Sequence, residues 1–250
     1  MQVLYAGESL VRGSANYLFG ALRACRIKVQ HVESSERLSP SLLATRFDVI
    51  ILSDFSKVNT SRAAEEAITR QVKRGSGLLM IGGWESFGAP AGRWHDSLIE
   101  AFLPVTCLPR DDRMNTPGGA LIVPRLTHPI LRGLSFAHPP AICGFNRIRP
   151  KRGSAVVLEA QPILSDGFER GSTPRVRLAP HRYPLLVITQ GVSQRSAALA
   201  TDLAPHWCGG LIDWGAKRLT LPVTQTTRIE VGHQYVQLIA SMMRWLAGGV

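Results

Sequence analysis

The chain has 250 residues, and 45% of them are hydrophobic, which is enough to fill the core of one substantial domain. Lysine and arginine number 29 against 18 aspartates and glutamates, giving a net charge of +11. The basic residues are dispersed, however, and the densest group, residues 146–153, contains no aromatic side chain on which a base could stack. We therefore do not expect a nucleic-acid partner.

Hydropathy and cysteine spacing exclude two further classes of protein. No segment approaches the roughly 20 apolar residues that span a membrane, and the chain begins as a strand rather than as a basic and then apolar leader. The four cysteines lie far apart, without the close pairs typical of disulfide frameworks or zinc knuckles. These features predict a cytoplasmic protein with no membrane partner.

The first 86 residues alternate between strand and helix patterns. Apolar runs in residues 2–6, 47–54 and 78–81 indicate strands, the last of them buried on both faces, whereas residues 16–25 and 61–74 have helical spacing. This alternation predicts right-handed crossovers and a doubly wound parallel sheet.

The second half of the chain is less regular. Residues 114–180 carry many prolines and glycines between short apolar runs, which predicts an antiparallel or loop-rich excursion. Residues 184–189 and 195–201 predict two more strands, and residues 233–246 predict a helix that covers one face of the sheet. Because the sheet resumes after the excursion, we expect residues 1–250 to form a single domain with an α/β fold.

Four predicted strands end on an acidic residue next to a hydroxyl residue. The pairs are Glu8-Ser9, Ser53-Asp54, Glu85-Ser86 and Thr201-Asp202. Because the carboxyl ends of parallel strands meet at one edge of a sheet, these residues are expected to face a common crevice. The alternative is that aspartate and serine are simply frequent in turns and helix caps.

Crowded carboxylates require cations, a metal or shared protons, since like charges a few ångströms apart cannot all ionise cheaply. The candidate cations are Arg93, His95, Arg113 and His206. The alternative role for these side chains is an ordinary surface salt bridge with a neighbouring carboxylate. Asp202, His206 and Cys208 could ligate a metal, but no HxxxH or HExxH spacing is present, so no metal site is predicted.

A nucleophile for covalent catalysis has no sequence signal either. The segment closest to a GxSxG elbow is residues 82–86, and it has Trp84 in the central position. An indole ring cannot attack a carbonyl carbon. The strand ends therefore favour binding or acid/base chemistry over covalent catalysis.

Several segments together resemble the class I glutamine amidotransferase-like family, and within it a subgroup that lacks the nucleophilic cysteine. The matching segments are residues 5–9, 49–54, 77–87, 92–95, 103–105, 111–113 and 201–207. The resemblance implies a flavodoxin-like three-layer sandwich with a mostly parallel central sheet. It also implies a cytoplasmic protein that associates as a homo-oligomer.

The sequence departs from that family at the residues that matter for catalysis. In true amidotransferases the turn after the central strand carries the cysteine that attacks glutamine, and here the matching position is Trp84. The partner histidine would follow a late strand directly, whereas here Asp202 takes that place and His206 comes four residues later. We therefore expect no glutaminase activity.

These observations predict a protein that binds a small polar metabolite and requires no cofactor. The expected acid/base residues are His206 and His95 for proton transfer, with Asp202, Glu85 and Asp54 as orienting or second acid/base groups. The expected binding residues are Glu8, Ser9, Trp84, Ser86, Arg93, Asp111, Asp112, Arg113 and Trp207. A related amidotransferase-like group that acts on oxidised sugars offers an analogy for such chemistry. The alternative is a non-catalytic scaffold or regulatory subunit for a partner protein.

Overall fold

The computed structural model describes residues 1–88, 90–166, 173, 175–191 and 194–249. Within these ranges fourteen strands and four α-helices follow one another. The strands are β1 (Gln2–Ala6), β2 (Lys28–Val32), β3 (Val49–Ser53), β4 (Gly77–Ile81), β5 (Val105–Thr106), β6 (Arg113–Pro124), β7 (Ala141–Asn146), β8 (Arg149–Pro150), β9 (Ser154–Asp166), β10 (Arg175–Leu178), β11 (Tyr183–Thr189), β12 (Ser196–Leu199), β13 (Arg218–Pro222) and β14 (Arg228–Gly232). The helices are α1 (Asn16–Ala24), α2 (Arg62–Lys73), α3 (Pro205–Cys208) and α4 (His233–Leu246).

Ten of the strands form one sheet with the order β2-β1-β3-β4-β12-β11-β9-β6-β7, and β10 pairs with β9. Strands β2, β1, β3, β4 and β12 run parallel to one another. The remaining pairings, from β12 to β11 onward, are antiparallel. The predicted flavodoxin-like α/β fold is therefore confirmed, with the parallel strands in one half of the sheet and the excursion as an antiparallel extension of the same sheet.

The parallel strands form where the sequence is continuously apolar. Every residue of β3 and β4 is buried, because helices and loops cover both faces of the sheet at these strands. Strand β2 lies at the edge of the sheet, and its exposed Lys28 and Gln30 alternate with the less exposed Val29 and His31.

The helices also follow from local sequence. Helix α2 begins after Ser61, whose hydroxyl accepts a hydrogen bond from the N–H of Ala64 at 3.2 Å, and Arg70 and Lys73 lie in its last turn. Helix α4 has the bounds that its apolar spacing predicts, and it packs against α1 and β4. Among the described residues, no helix is both long enough and apolar enough to cross a bilayer.

The excursion contains more regular structure than its composition predicts. Strands β6 and β9 have 12 and 13 residues and pair with each other in the antiparallel sense. Residues 167–172 and 174, which belong to the predicted excursion, lie outside the described residues. Strands β13 and β14 form a separate ribbon that the sequence patterns did not reveal.

Candidate functional site

Four strand ends converge at one edge of the sheet, as their common pattern predicts. Strands β1, β3, β4 and β12 are parallel neighbours, so that Glu8, Asp54, Glu85 and Asp202 emerge on the same side. A crevice of about 570 Å³ opens there. Its lining includes Glu8, Ser9, Arg12, Glu33, Asp54, Trp84, Glu85 and His206.

Two glycines allow these strand ends to approach closely. Gly7 has φ of +139°, and a Cβ at this position would lie 1.6 Å from the carbonyl oxygen of Ser53. Gly83 has φ of +142°, and its Cβ would lie 2.4 Å from Oδ1 of Asp54. Only glycine fits both the backbone conformation and the space at these positions. The close approach is what brings carboxyl groups from separate strands together.

Burial makes two of the carboxyls unusually weak acids. Glu8 is buried, its Oε2 accepts a hydrogen bond from the hydroxyl of Tyr5, and its Oε1 has no hydrogen-bond partner among the residues that the structure describes. Burial, and then the proximity of Asp202, raise the pKa of Glu8 well above its usual value. Burial, and then the charge of Asp202, raise the pKa of Asp54 to about 7. At neutral pH the site thus holds protons that ordinary carboxyls would have lost.

Both residues also have an uncommon backbone conformation. Glu8 has φ of +47° and Asp54 has φ of +46°, in the left-handed region that non-glycine residues seldom occupy. The backbone N–H of Asp54 donates to Oγ of Ser86 at 3.1 Å, and its Oδ1 accepts from the N–H of Glu85. These bonds hold Asp54 in place at the crevice. A left-handed backbone conformation at a non-glycine residue is strained, and such strain is common at functional sites.

Asp202 and His206 form a pair beside these acids. Oδ1 of Asp202 accepts the N–H of Ala204 at 2.9 Å, and its Oδ2 lies 3.2 Å from Nε2 of His206 without the angle of a good hydrogen bond. Asp202 is fully buried, whereas the imidazole is 53% exposed. A buried acid therefore sits behind a histidine that reaches the solvent in the crevice, an arrangement suited to proton transfer.

Two predicted binding residues are occupied in shaping the loop after β4. Oγ of Ser86 donates to the carbonyl oxygen of Ile81 besides accepting from Asp54. Asp112 is fully buried, and its carboxylate accepts the N–H of Gly88 at 2.8 Å and Nδ2 of Asn146 at 2.7 Å. Burial raises the pKa of Asp112 to about 6. Ser86 and Asp112 thus hold the loop and do not offer free atoms to a ligand.

Asn146 was missed by the sequence patterns, although it supports the same loop. Its Oδ1 accepts the N–H of Gly83 at 2.9 Å, and its Nδ2 donates to the carbonyl oxygen of Gly83 at 3.1 Å. Asn146 lies at the end of β7, and 63 residues separate it from Gly83. No local sequence signal could have found this contact.

The mouth of the crevice carries an aromatic ring that is held by a cation. The guanidinium carbon of Arg113 lies 4.7 Å from the ring centroid of Trp84, which is 51% exposed. Nε and one terminal nitrogen of Arg113 donate to the carboxylate of Asp111 at 2.9 and 2.8 Å. The hydrogen bonds from Arg113 lower the pKa of Asp111 to about 2. Trp207 is instead buried, and its Nε1 donates to Oδ1 of Asn115 at 2.9 Å.

The structure does not bring Arg93, His95 and Asp111 to the crevice. They line a separate pocket of about 430 Å³ together with Gly88, Pro90, Leu108, Pro109 and Arg110. The reason is the neighbouring Trp94, which is fully buried and donates from Nε1 to the carbonyl oxygen of Phe55 at 2.9 Å. This anchor directs the adjacent residues away from the strand ends.

The donor atoms of His95, Asp96 and Glu100 lie within 4.8 Å of one another, close enough for a cation. Both carboxylate oxygens of Glu100, however, already accept backbone hydrogen bonds at 2.6 Å, from Asp96 and Cys107. Nδ1 of His95 lies 3.0 Å from the carbonyl oxygen of Cys107. The side chains of His95 and Glu100 therefore hold the backbone of the surrounding loop, and this role accounts for their closeness.

Two charged residues of the crevice lining, Glu33 and Arg12, lay outside the predicted set. Glu33 directly follows β2, the fifth parallel strand, and its Oε2 accepts a hydrogen bond from Oγ of Ser9 at 3.1 Å. Arg12 lines the crevice from the loop that follows β1. The Val32-Glu33 ending could have been found, since it repeats the pattern of an acidic residue after a strand.

The cysteine nearest to the acids is protected from ionisation. Cys208 is buried and its Sγ donates to the carbonyl oxygen of Ala204 at 2.8 Å. Burial, together with the charges of Asp202 and Glu8, raises the pKa of this thiol. The residues that line the crevice include no cysteine, and Trp84 occupies the turn after β4.

Comparison with known proteins agrees with this architecture. The model of a family described as "GATase1_like: Putative glutamine amidotransferase" matches residues 7–225. The cytoplasmic protein STM3548 from Salmonella typhimurium is similar with 22% identity and a TM-score of 0.71, over 98% of each chain. The cytoplasmic protein STM1381 from Salmonella typhimurium LT2 has 21% identity and a TM-score of 0.69, over 98% of this chain and 99% of its own.

A more distant likeness concerns a ThuA-like protein from Parabacteroides merdae, with 13% identity and a TM-score of 0.61. It covers all of this chain and 90% of its own. No curated protein matches the chain. At these identities the solved structures show a shared fold.

Proposed function

Since the chain belongs to the glutamine amidotransferase-like family whose model matches residues 7–225, we propose that it is a member without glutaminase activity that binds a small polar metabolite. The binding site is the crevice at the carboxyl ends of the parallel strands. One observation carries this proposal: acidic side chains from four strand ends meet a histidine in a cavity that no cysteine lines.

The charge of the crevice indicates the class of ligand. Its lining offers four carboxyl groups, those of Glu8, Glu33, Asp54 and Glu85, against the cationic side chain of Arg12 and the imidazole of His206. The chain as a whole carries a net charge of +11, so this acidic depression is a local exception. Carboxyl groups accept hydrogen bonds from hydroxyl and amino groups. The proposed ligand is therefore hydroxylated or cationic.

The pKa values support acid/base chemistry on such a ligand. Asp54, with a pKa raised to about 7, both donates and accepts a proton near neutral pH. His206 also lines the crevice, and Asp202 behind it is placed to orient the ring. In this proposal Asp54 and His206 are the proton-transfer pair of a hydrolase, lyase or isomerase. Glu8 and Glu85 would bind the ligand.

A non-catalytic scaffold or regulatory subunit is the second candidate. Two apolar side chains at the crevice mouth favour it, because Trp84 is 51% exposed and Val11 is 91% exposed. Exposed apolar residues at a rim are typical of protein contacts. A partner protein or a second copy of the chain would cover them.

We also propose that the protein is cytoplasmic. This rests on two similar structures, both named as cytoplasmic proteins.

A thermal-shift screen against a metabolite collection distinguishes the two candidates. We expect hydroxylated or cationic compounds to raise the melting temperature of the wild type and not that of Asp54→Asn or His206→Ala. Arg62→Gln, on the exposed face of α2, is the control that should respond like the wild type. Stabilisation that persists in both crevice variants would refute the ligand site. The scaffold would be favoured if the crevice variants responded to the compounds like the wild type and if Trp84→Ala lost self-association.

A further inference from the structure

A third pocket lies at the opposite edge of the sheet, between α2 and the chain that leads into β3. It has a volume of about 280 Å³, and three arginines line it: Arg46, Arg70 and Arg74. Arg46 stands three residues before β3, and Arg74 stands three residues before β4. Because each strand has five residues, about 15 Å separates this edge from the crevice.

Two buried polar side chains hold the segment that carries Arg46. The amide of Gln71 accepts the N–H of Phe47 at 2.9 Å and donates to the carbonyl oxygens of Leu43 and Thr45, both at 2.9 Å. Oγ of Ser76 donates to the carbonyl oxygen of Phe47 at 2.6 Å. Backbone on both sides of Arg46 is thus fastened to α2 and to the start of β4. The positions of the three arginine backbones relative to one another are fixed before any ligand arrives.

The described part of the chain offers these three guanidinium groups no acidic partner. Among the described residues, no salt bridge involves Arg46, Arg70 or Arg74, and the pocket lining contains no acidic residue. Arg62, on the same helix, does pair with Glu66 at 3.0 Å. Placing Arg70 and Arg74 one helical turn apart costs free energy through like-charge repulsion. The end of a helix favours basic residues, but this effect does not explain Arg46, which lies outside the helix.

We propose that this pocket binds a small metabolite that carries a phosphate or diphosphate group. Guanidinium groups bind phosphate oxygens through paired hydrogen bonds, and three of them around one cavity match a multiply charged anion. Buried Leu43 and Ala67 form part of the same lining and offer an apolar surface to the remainder of the molecule. The site takes an anion, whereas the crevice takes a hydroxylated or cationic ligand, so the two sites have different ligands.

Isothermal titration calorimetry with inorganic pyrophosphate and with ADP tests the proposal. We expect both to bind the wild type, and Arg46→Gln and Arg70→Gln each to weaken binding at least about tenfold, as the loss of a charge-assisted hydrogen bond implies. Lys73→Gln is the matched control, because Lys73 lies in the same turn of α2 but outside the pocket and contacts Phe102. It should change affinity by less than about twofold, the effect of one distant, screened charge.

Two outcomes would overturn the proposal. One is the absence of binding of either anion at low salt. The other is equal weakening by Lys73→Gln and Arg46→Gln, which would indicate diffuse attraction to a basic surface. The exposed arginine variants should keep the wild-type melting temperature, since no salt bridge between described residues involves any of the three side chains. Asp54→Asn should bind pyrophosphate like the wild type. A failure of the anion-site proposal can therefore be distinguished from a failure of the crevice proposal.

Discussion

The carboxyl of Asp54, at the end of β3, accepts a hydrogen bond from the backbone N–H of Glu85 in the loop after β4. This bond joins two neighbouring strand ends, and it places one acid directly beside the other. The charge of Glu85 contributes to the raised pKa of Asp54, although burial and Asp202 contribute more. The same contact therefore shapes the crevice and sets its protonation.

The raised pKa of Asp54 predicts how stability depends on pH. Between about pH 4 and pH 7 the folded chain holds a proton on Asp54 that the unfolded chain has lost. Folding therefore stabilises the protonated form, and the free energy of unfolding decreases as the pH rises through this window. Asp54→Asn removes the titration, so its free energy of unfolding should decrease less steeply between about pH 4 and pH 7.

Urea denaturation at a series of pH values measures this difference. Asp213→Asn, a substitution of an exposed aspartate that pairs with Arg218, is the control and should keep the wild-type slope. Parallel curves for the wild type and Asp54→Asn would show that Asp54 titrates as an ordinary carboxyl.

Asn146 should be important for stability as well as for the crevice. Asn146→Ala removes both hydrogen bonds to Gly83 and the bond to Asp112, and it leaves buried polar groups without partners. We expect a loss of about 2 to 4 kcal/mol in the free energy of unfolding. Asn59→Ala, which removes one hydrogen bond to Ser34, should cost about 1 kcal/mol. Chemical denaturation compares them, and similar losses in both variants would contradict the supporting role of Asn146.

The close approach of β1 to β3 predicts a large difference between two glycines. Gly7→Ala places a Cβ against the carbonyl of Ser53 and should destabilise the fold by several kcal/mol, about 3 or more. Gly75→Ala has open space around the new methyl group and only its φ of +99° to overcome, so it should cost about 1 kcal/mol. Melting temperatures of the two variants provide the measurement. A mild effect at Gly7 would mean that the strand ends are further apart.

Glutamine hydrolysis should be undetectable. The turn after β4 presents Trp84 in place of a cysteine, and the thiol of Cys208 is buried and has a raised pKa, so neither position supplies a thiolate to attack the carboxamide in the crevice. Glutamate release from glutamine should equal that of buffer for the wild type and for Cys208→Ser. Turnover by the wild type that disappears in Cys208→Ser would contradict this prediction.

The parallel half of the fold could be predicted from sequence because its signals are local. Continuous apolar runs identify β3 and β4, and helical spacing identifies α2 and α4. Strands that are linked by helical crossovers run parallel, so their carboxyl ends share one edge of the sheet. The convergence of Glu8, Asp54, Glu85 and Asp202 follows from these steps alone.

The remaining features depend on contacts between distant segments. Strands β6 and β9 contain prolines and polar residues, and their pairing stabilises them where local propensity does not. The direction of His95 depends on the burial of Trp94 beneath Phe55, a contact across 39 residues. The sequence identified Arg113 and Asp112 as candidate binding residues. Arg113 instead holds the ring of Trp84, and Asp112 holds the loop after β4. Sequence spacing does not reveal these partners.

Crystals soaked with a compound that stabilises the wild type in the thermal-shift screen test the crevice most directly. We predict electron density for the compound between the carboxyls of Asp54 and Glu85 and the imidazole of His206. Density for the compound at another place, with only solvent between these three side chains, would contradict the assignment of this crevice as the ligand site.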